Sequence, residues 1–220
     1  MDQNIWELQG SSLHRQVRRA EAVKSMLENS KAVLDVGCAE GFITSFISKI
    51  PAYVVGIDIN RDSLEVAKVK VRNVDFIQAS ITNLPFRERV FDAITCCEVL
   101  EHLPNPIIKE GIKEIDRALS AKGILLVSVP YREQIMYTRC IYCGKLTPLW
   151  GHLQSFDENK VSSLLPKNYR LVEKKILPNL GLISCSKIFK WLPFRIWLLM
   201  NDLFGVIRKG YWLVLRYQKR

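Results

Sequence analysis

Between Val33 and Phe42 the chain runs Val-Leu-Asp-Val-Gly-Cys-Ala-Glu-Gly-Phe, and a second apolar run over 54–57 ends in Asp58. An apolar run that stops at a glycine-bearing turn and passes into an amphipathic segment is a strand, a turn and a helix. Glycines, lacking Cβ atoms, let a ligand approach the backbone there. The second run places Asp58 at the carboxyl end of the neighbouring strand, where it can accept hydrogen bonds from both hydroxyls of a ribose. The chain is thereby constrained to an α/β fold with a nucleoside site at its strand ends. A dinucleotide fingerprint would need three glycines, as G-x-G-x-x-G, around a pyrophosphate. Here Gly37 and Gly41 are separated by Cys-Ala-Glu and Asp35 precedes the turn, which favours a cationic ligand.

The remaining chain continues the alternation. A first helix is predicted from about Ser12 to Asn29, with Leu13, Val17, Ala20 and Leu27 near a period of about 3.6 residues. Strands over 32–36, 53–58, 73–77, 91–97 and 122–129, with helices near 41–50, 61–70 and 105–119 between them, predict a parallel sheet covered on both faces. Residues 131–156 read as an irregular insertion carrying a Cys pair and a His. A helix from about Asp157, a strand over 169–177, an apolar and basic insertion over 178–209 and a final edge strand from Gly210 follow. With 220 residues and 48% hydrophobic content, one domain over 1–220 is expected, with 30–130 as its binding core.

The turn and the two acids resemble the first two motifs of the class I S-adenosylmethionine (SAM)-dependent methyltransferases. In that family the turn cradles the amino-acid end of SAM and the second acid holds the ribose. The resemblance implies cofactor contacts at Asp35, Gly37, Cys38, Gly41, Asp58 and Ile59, and Ala39 stands where the family commonly has glycine. The stretch from Asp75 to Phe86 looks like the third motif, in which an acid meets the adenine amino group. Ser80 occupies that place; its hydroxyl can accept the same bond, with the Ile81 N–H as a second contact, although a plain turn role for Ser80 stays open. The fold implied is an α/β, Rossmann-like doubly wound, mostly parallel seven-stranded sheet with an antiparallel edge strand.

After the fourth strand comes Glu98-Val-Leu-Glu101-His102. One helical turn would set Glu98, Glu101 and His102 on a shared face at the carboxyl edge of the sheet. Similar Glu-x-x-Glu-His sequences occur in ubiquinone-type O-methyltransferases and in small-RNA 3′-terminal ribose 2′-O-methyltransferases. In the RNA branch a further His after strand five completes the site, a placement that His152 matches. The resemblance implies Mg2+ or Mn2+ on Glu98, Glu101, His102 and His152, lowering the pKa of an acceptor hydroxyl. The same residues can instead shape a pocket, and His102 alone can serve as general base. Cys140-Ile-Tyr-Cys143-Gly reads as a zinc-knuckle turn. With His152 it offers three of the roughly four ligands a closed zinc site requires, and Cys185 is a remote fourth; two free thiols are the competing reading.

The net charge of +10 favours polyanionic partners, RNA or anionic lipid, and much of it lies toward the C-terminal end. Basic residues interrupt the apolar run over 183–206, so it does not supply the roughly twenty apolar residues of a membrane span. It fits an interfacial segment or a core helix over the last strands. The opening residues lack a basic start followed by an apolar stretch, so neither a signal nor a transit peptide is expected. That implies a cytoplasmic location, peripheral to the membrane if the apolar segment meets lipid. The expected activity is O-methylation of a hydrophobic or lipid-linked small molecule. An RNA 3′-terminal ribose is the alternative acceptor, and a SAM-binding scaffold without turnover is a third class. No Asn-Pro-Pro-Tyr-like sequence follows strand four, which argues against methylation of base amino groups.

Overall fold

Alternate residues of the central strands enter two separate cores, and this alternation builds the molecule. The computed structural model describes residues 5–27, 29–179, 189, 191–204 and 210–220. Helix α1 (Gly10–Ser25) leads into β1 (Ala32–Val36), α2 (Thr44–Ile47), β2 (Tyr53–Asp58), α3 (Arg61–Lys70) and β3 (Asp75–Gln78). Then come β4 (Phe91–Cys97), α4 (Asn105–Ala118) and β5 (Leu119–Pro130), followed by a small hairpin of β6 (Tyr137–Arg139) and β7 (Leu146–Pro148). Helix α5 (Glu158–Leu164), β8 (Tyr169–Asn179), α6 (Phe194–Phe204) and β9 (Gly210–Lys219) complete the described elements.

The seven-stranded sheet has the order β3-β2-β1-β4-β5-β9-β8. The first five strands pair in parallel, and β9 is antiparallel to both β5 and β8. Because side chains of a strand alternate between faces, Leu34, Val36, Ile94, Leu125 and Val127 join Ile108, Ile112 and Ile115 of α4 in one core. Val33, Ala93, Leu126 and Val214 join Val23 of α1, Ile47 of α2 and Trp197 of α6 in the other. Strands covered on both faces read as near-continuous apolar runs, which is why β1, β2 and β4 stand out in the sequence.

Three expectations need correction. The final strand from Gly210 is not an edge strand; it lies one place in, and β8 forms the edge. The helix expected over 41–50 covers only Thr44–Ile47, because Gly41 has φ +79°, outside the helical region. Residues 131–156 are not wholly irregular, since Tyr137, Thr138 and Arg139 pair with Pro148, Thr147 and Leu146.

Helix α1 bears on stability through His14, which is 7% exposed with its ring edge-on to Trp197 at 5.9 Å. Burial, and then the Arg18 cation, lowers its pKa from 6.5 to about 4. The unfolded chain therefore binds more protons than the folded one between those values, and stability falls as the pH drops through that window. Urea melts at about pH 7 and about pH 4.5 are expected to show a smaller acid-induced loss for His14→Gln than for wild type. Equal losses in the two proteins would remove His14 from the account.

Candidate active site

The carboxyl ends of the strands meet a cleft where the sheet order reverses between β1 and β4, the place where open α/β sheets bind ligands. A cavity of about 270 Å³ is lined by Gly37, Asp58, Ile59, Ile81, Glu98 and His102 among others. A narrower one of about 140 Å³, lined by Arg19, Asp35, Cys38 and Glu40, shares Gly37, Ala39 and Glu98 with it.

The turn after β1 folds as it does because of two left-handed glycines and a register of backbone bonds. Gly37 has φ +71°, and a Cβ there would meet Val99 Cγ2 at 2.3 Å. The N–H groups of Gly37 and Cys38 both donate to the Ile57 carbonyl, at 2.8 and 2.9 Å. Gly41 closes the turn by donating to the Cys38 carbonyl and faces Ala67 of α3 and Val71 just after it. Ala39 takes φ +46° despite its Cβ, a small strain of the kind that gathers at functional sites. Its N–H donates to Asp58 Oδ2 at 2.9 Å, while Asp58 Oδ1 accepts from the Asn60 N–H at 2.8 Å. Asn60 in turn caps α3 by accepting from the N–H groups of Asp62 and Ser63. Asp58 is thus gripped by the turn on one side and the helix start on the other, with lone pairs left toward the cavity.

Other expected cofactor positions sit differently. Asp35 is buried, and its two oxygens accept from the hydroxyls of Thr44 and Thr95, both at 2.6 Å. Burial raises its pKa, and those two bonds oppose the rise. Its carboxylate is therefore committed to fastening α2 and β4 beneath the turn. The Cys38 thiol is pushed far up by burial and then by the Asp35 and Asp58 charges, and stays protonated. Ser80 turns back on Thr82, whose hydroxyl lies 2.9 Å away and whose N–H it accepts at 3.2 Å, as in a plain turn. Ala79 and Ile81, on either side of it, line the cavity.

The acid and histidine cluster departs most from the sequence reading. Glu98 has φ +56°, so the chain leaves the helical region there, and only Leu100–His102 form a turn of 3-10 helix. Glu98 points away from its sequence neighbours: Trp212 Nε1 donates to its Oε2 at 2.6 Å, the Ser128 hydroxyl to its Oε1 at 3.2 Å, and Arg19 Nη1 lies 3.1 Å from Oε2. Glu101, His102 and His152 offer donor atoms within 4.8 Å of one another, a group that does not include Glu98. His152 arrives from a distant loop held down by three contacts. Leu153 N–H donates to the Glu101 carbonyl at 2.7 Å, Gln154 Nε2 donates to the Leu103 carbonyl at 2.8 Å, and His102 Nδ1 lies 3.3 Å from the Gly151 carbonyl. His152 also pairs through Nδ1 with Glu133. Glu101 is 0% exposed with no hydrogen-bond partner on either oxygen, and burial followed by the Glu98 charge pushes its pKa up to about 9. The pKa of His102 is lowered by burial and then by His152.

Arg19, Glu40, Thr44, Thr95, Glu133 and Trp212 were not singled out in the sequence. Thr95, a hydroxyl in the buried, apolar part of β4, carried a usable signal; Arg19 and Trp212 join the site only through long-range packing, with Arg19 also lying over the Trp212 ring at 4.5 Å. Trp212→Phe keeps an aromatic ring at this buried position, though a smaller one, and deletes the donor to Glu98. It is expected to cost about 2 kcal/mol in a urea melt, the worth of a hydrogen bond to a charged group; an unchanged midpoint would show the bond to be energetically idle.

The chain tip at Cys140 and Cys143 brings no third ligand among the described residues, and His152 is engaged elsewhere. Cys185 lies outside the described residues.

Known proteins place these features in one group. A family profile described as "Methyltransferase domain" matches residues 33–123. The "Ubiquinone biosynthesis O-methyltransferase" of Glaesserella parasuis serovar 5 is 28% identical over 192 residues, covering 83% of this chain and 73% of that protein. The protein of the same name from Actinobacillus pleuropneumoniae serotype 5b is 32% identical over 135 residues, covering 56% of this chain and 57% of that protein. Against other relatives so named, from Idiomarina loihiensis and Proteus mirabilis, the chain spans 42% and 61% of their length. A crystal structure of a SAM-dependent methyltransferase from Methanosarcina mazei shares the fold, with a TM-score of 0.65 at 18% identity over 90% of this chain and 96% of that one. With the strand order, the turn at Gly37 and the grip on Asp58 in hand, residues 33–123 match a methyltransferase domain, and the chain is similar to the class I SAM-dependent methyltransferases.

Proposed function

We propose that the protein transfers a methyl group from SAM to a hydroxyl of an apolar small molecule, and that residues 1–220 act as one catalytic unit. The observation that carries this reading is the convergence of Glu101, His102 and His152 at a cleft suited to SAM. The cleft fits a cationic nucleoside: Asp58 keeps free lone pairs, and Glu40 Oε2 is a buried oxygen with no hydrogen-bond partner at the narrow end. Asp58 would hold the ribose, the Ile81 region the adenine and Glu40 the ammonium, with Gly37, Cys38 and Ala39 supplying the backbone wall. When bound, the cofactor supplies an electrophilic methyl on its sulfonium.

The chain's own residues then have to place a hydroxyl and take its proton. His102 lines the larger cavity, and the loop carrying Gly151 and His152 fixes its ring. The donor set also fits a divalent cation, because the unpartnered Glu101 oxygens and two imidazoles are the ligands Mg2+ or Mn2+ would find there. Such an ion would lower the pKa of an acceptor hydroxyl.

The relatives' printed name, O-methyltransferase, supports oxygen as the acceptor atom. An apolar acceptor is supported by α6, which buries Trp197 but leaves Leu199 71% and Leu203 70% exposed, a face suited to a lipid surface. Among the described residues no helix is long and apolar enough to cross a membrane. Co-sedimentation with anionic vesicles is expected for wild type and is expected to be lost in the double variant Leu199→Glu, Leu203→Glu; equal pelleting of both would remove the surface contact. A second reading, methylation of an RNA 3′-terminal ribose, is favoured by His152 joining the cluster, while the diversion of Glu98 to Arg19 weighs against it. Labelled methyl from SAM, added to a cell extract with and without magnesium, separates the readings. Organic-soluble label supports the small molecule, ribonuclease-sensitive label supports RNA, and SAM binding with no transfer supports a scaffold.

A further inference from the structure

The hairpin of β6 and β7 carries a second arrangement of donors, away from the cleft and independent of its reading. At its tip the Cys140 N–H donates to the Lys145 carbonyl at 2.9 Å, and the Gly144 N–H returns to the Cys140 carbonyl at 2.8 Å, with Gly144 at φ +68°. Two thiols of one tight, hydrogen-bonded turn form a bidentate ligand for a divalent ion that takes thiolates.

That ligand is half a site. Structural zinc takes about four donors. The other described cysteines, Cys38, Cys96 and Cys97, are buried in the sheet, and among the described residues the one group of metal-type ligands is the cluster at Glu101. The tip projects apolar side chains that are open among the described residues, Ile141 at 88% and Tyr142 at 92% exposure. Arg139 and Lys145 flank the thiols. A tetrathiolate zinc centre carries a net charge of about −2, and two tips brought together would surround it with two arginines and two lysines.

We propose that Cys140 and Cys143 form half of a tetrahedral zinc site completed by the same pair from a second copy of the chain. Each thiol releases its proton to solvent as it binds, and the contact is isologous, with the two tips related by a twofold axis. Ile141 and Tyr142 of both copies then cover one another around the ion.

The test is titration of the reduced, chelator-treated full chain with Zn2+, followed by light scattering and metal analysis, and with Co2+ for its thiolate-to-metal absorption. The expected result is one ion per two chains, a zinc-dependent dimer and a tetrahedral cobalt-thiolate spectrum. All three should be lost in Cys140→Ser and Cys143→Ser and kept in His152→Ala, which separates this site from the cluster in the cleft. One ion per chain on a monomer, a site lost in Cys185→Ser, binding that survives Cys140→Ser, or no binding at all would each overturn the proposal.

Discussion

Asp58→Asn is expected to bind SAM about a hundred-fold more weakly than wild type, because hydrogen bonds to a charged group are worth about 1.5–3 kcal/mol each and a hundred-fold is about 2.7 kcal/mol. The carboxylate has both oxygens held, one by the Ala39 N–H and one by the Asn60 N–H, so it faces the cavity without a conformational search. An amide retains one acceptor and turns an NH2 toward one of those N–H groups, which weakens the grip as well as the ribose contact. Calorimetric titration with SAM measures the affinity, and a parallel melt shows whether the turn survives. Undiminished affinity in a folded variant would remove Asp58 from the binding site.

Glu101→Gln and His152→Ala are expected to behave in the opposite way. Methyl transfer should fall by about 10²- to 10⁴-fold, the usual worth of positioned acid–base groups, while SAM affinity stays within a few-fold of wild type. The reason is spatial: of the three, His102 lines the cavity together with Gly37 and Asp58, whereas Glu101 and His152 do not line it. Glu101→Gln is isosteric in a site with no exposure, so it tests the carboxyl group without opening a hole. It should also abolish any stimulation by Mg2+ or Mn2+. Turnover close to wild type would return these residues to pocket shape, and loss of SAM affinity would move them into the cofactor site.

The parts of this design that were legible in the sequence are the local ones. Gly37 and Asp58 are tied by neighbouring strands, and apolar runs mark β1, β2 and β4 because both faces of those strands are covered. Glu98 was misread because placing it with Glu101 and His102 assumes an unbroken helical turn. A left-handed residue at the start of that turn has no sequence mark when it is not glycine. Asp35 lines the narrower cavity, and its second task, fastening Thr44 and Thr95, was not legible because the role of those hydroxyls depends on where α2 and β4 lie. The Arg19, Glu98 and Trp212 group draws on α1, the segment after β4 and β9, and separations of that size leave no periodic trace.

The order of the last three strands also sets the sequence of events as the chain is made. β8 leaves the ribosome before β9, yet its neighbour in the sheet is β9 alone. Until Gly210–Lys219 emerges, β5 has an open flank and β8 has no strand to pair with, so two backbone edges stay available to other chains. Inserting one late strand closes both edges at once, and a chain cut short before it loses the outer two strands together, not one.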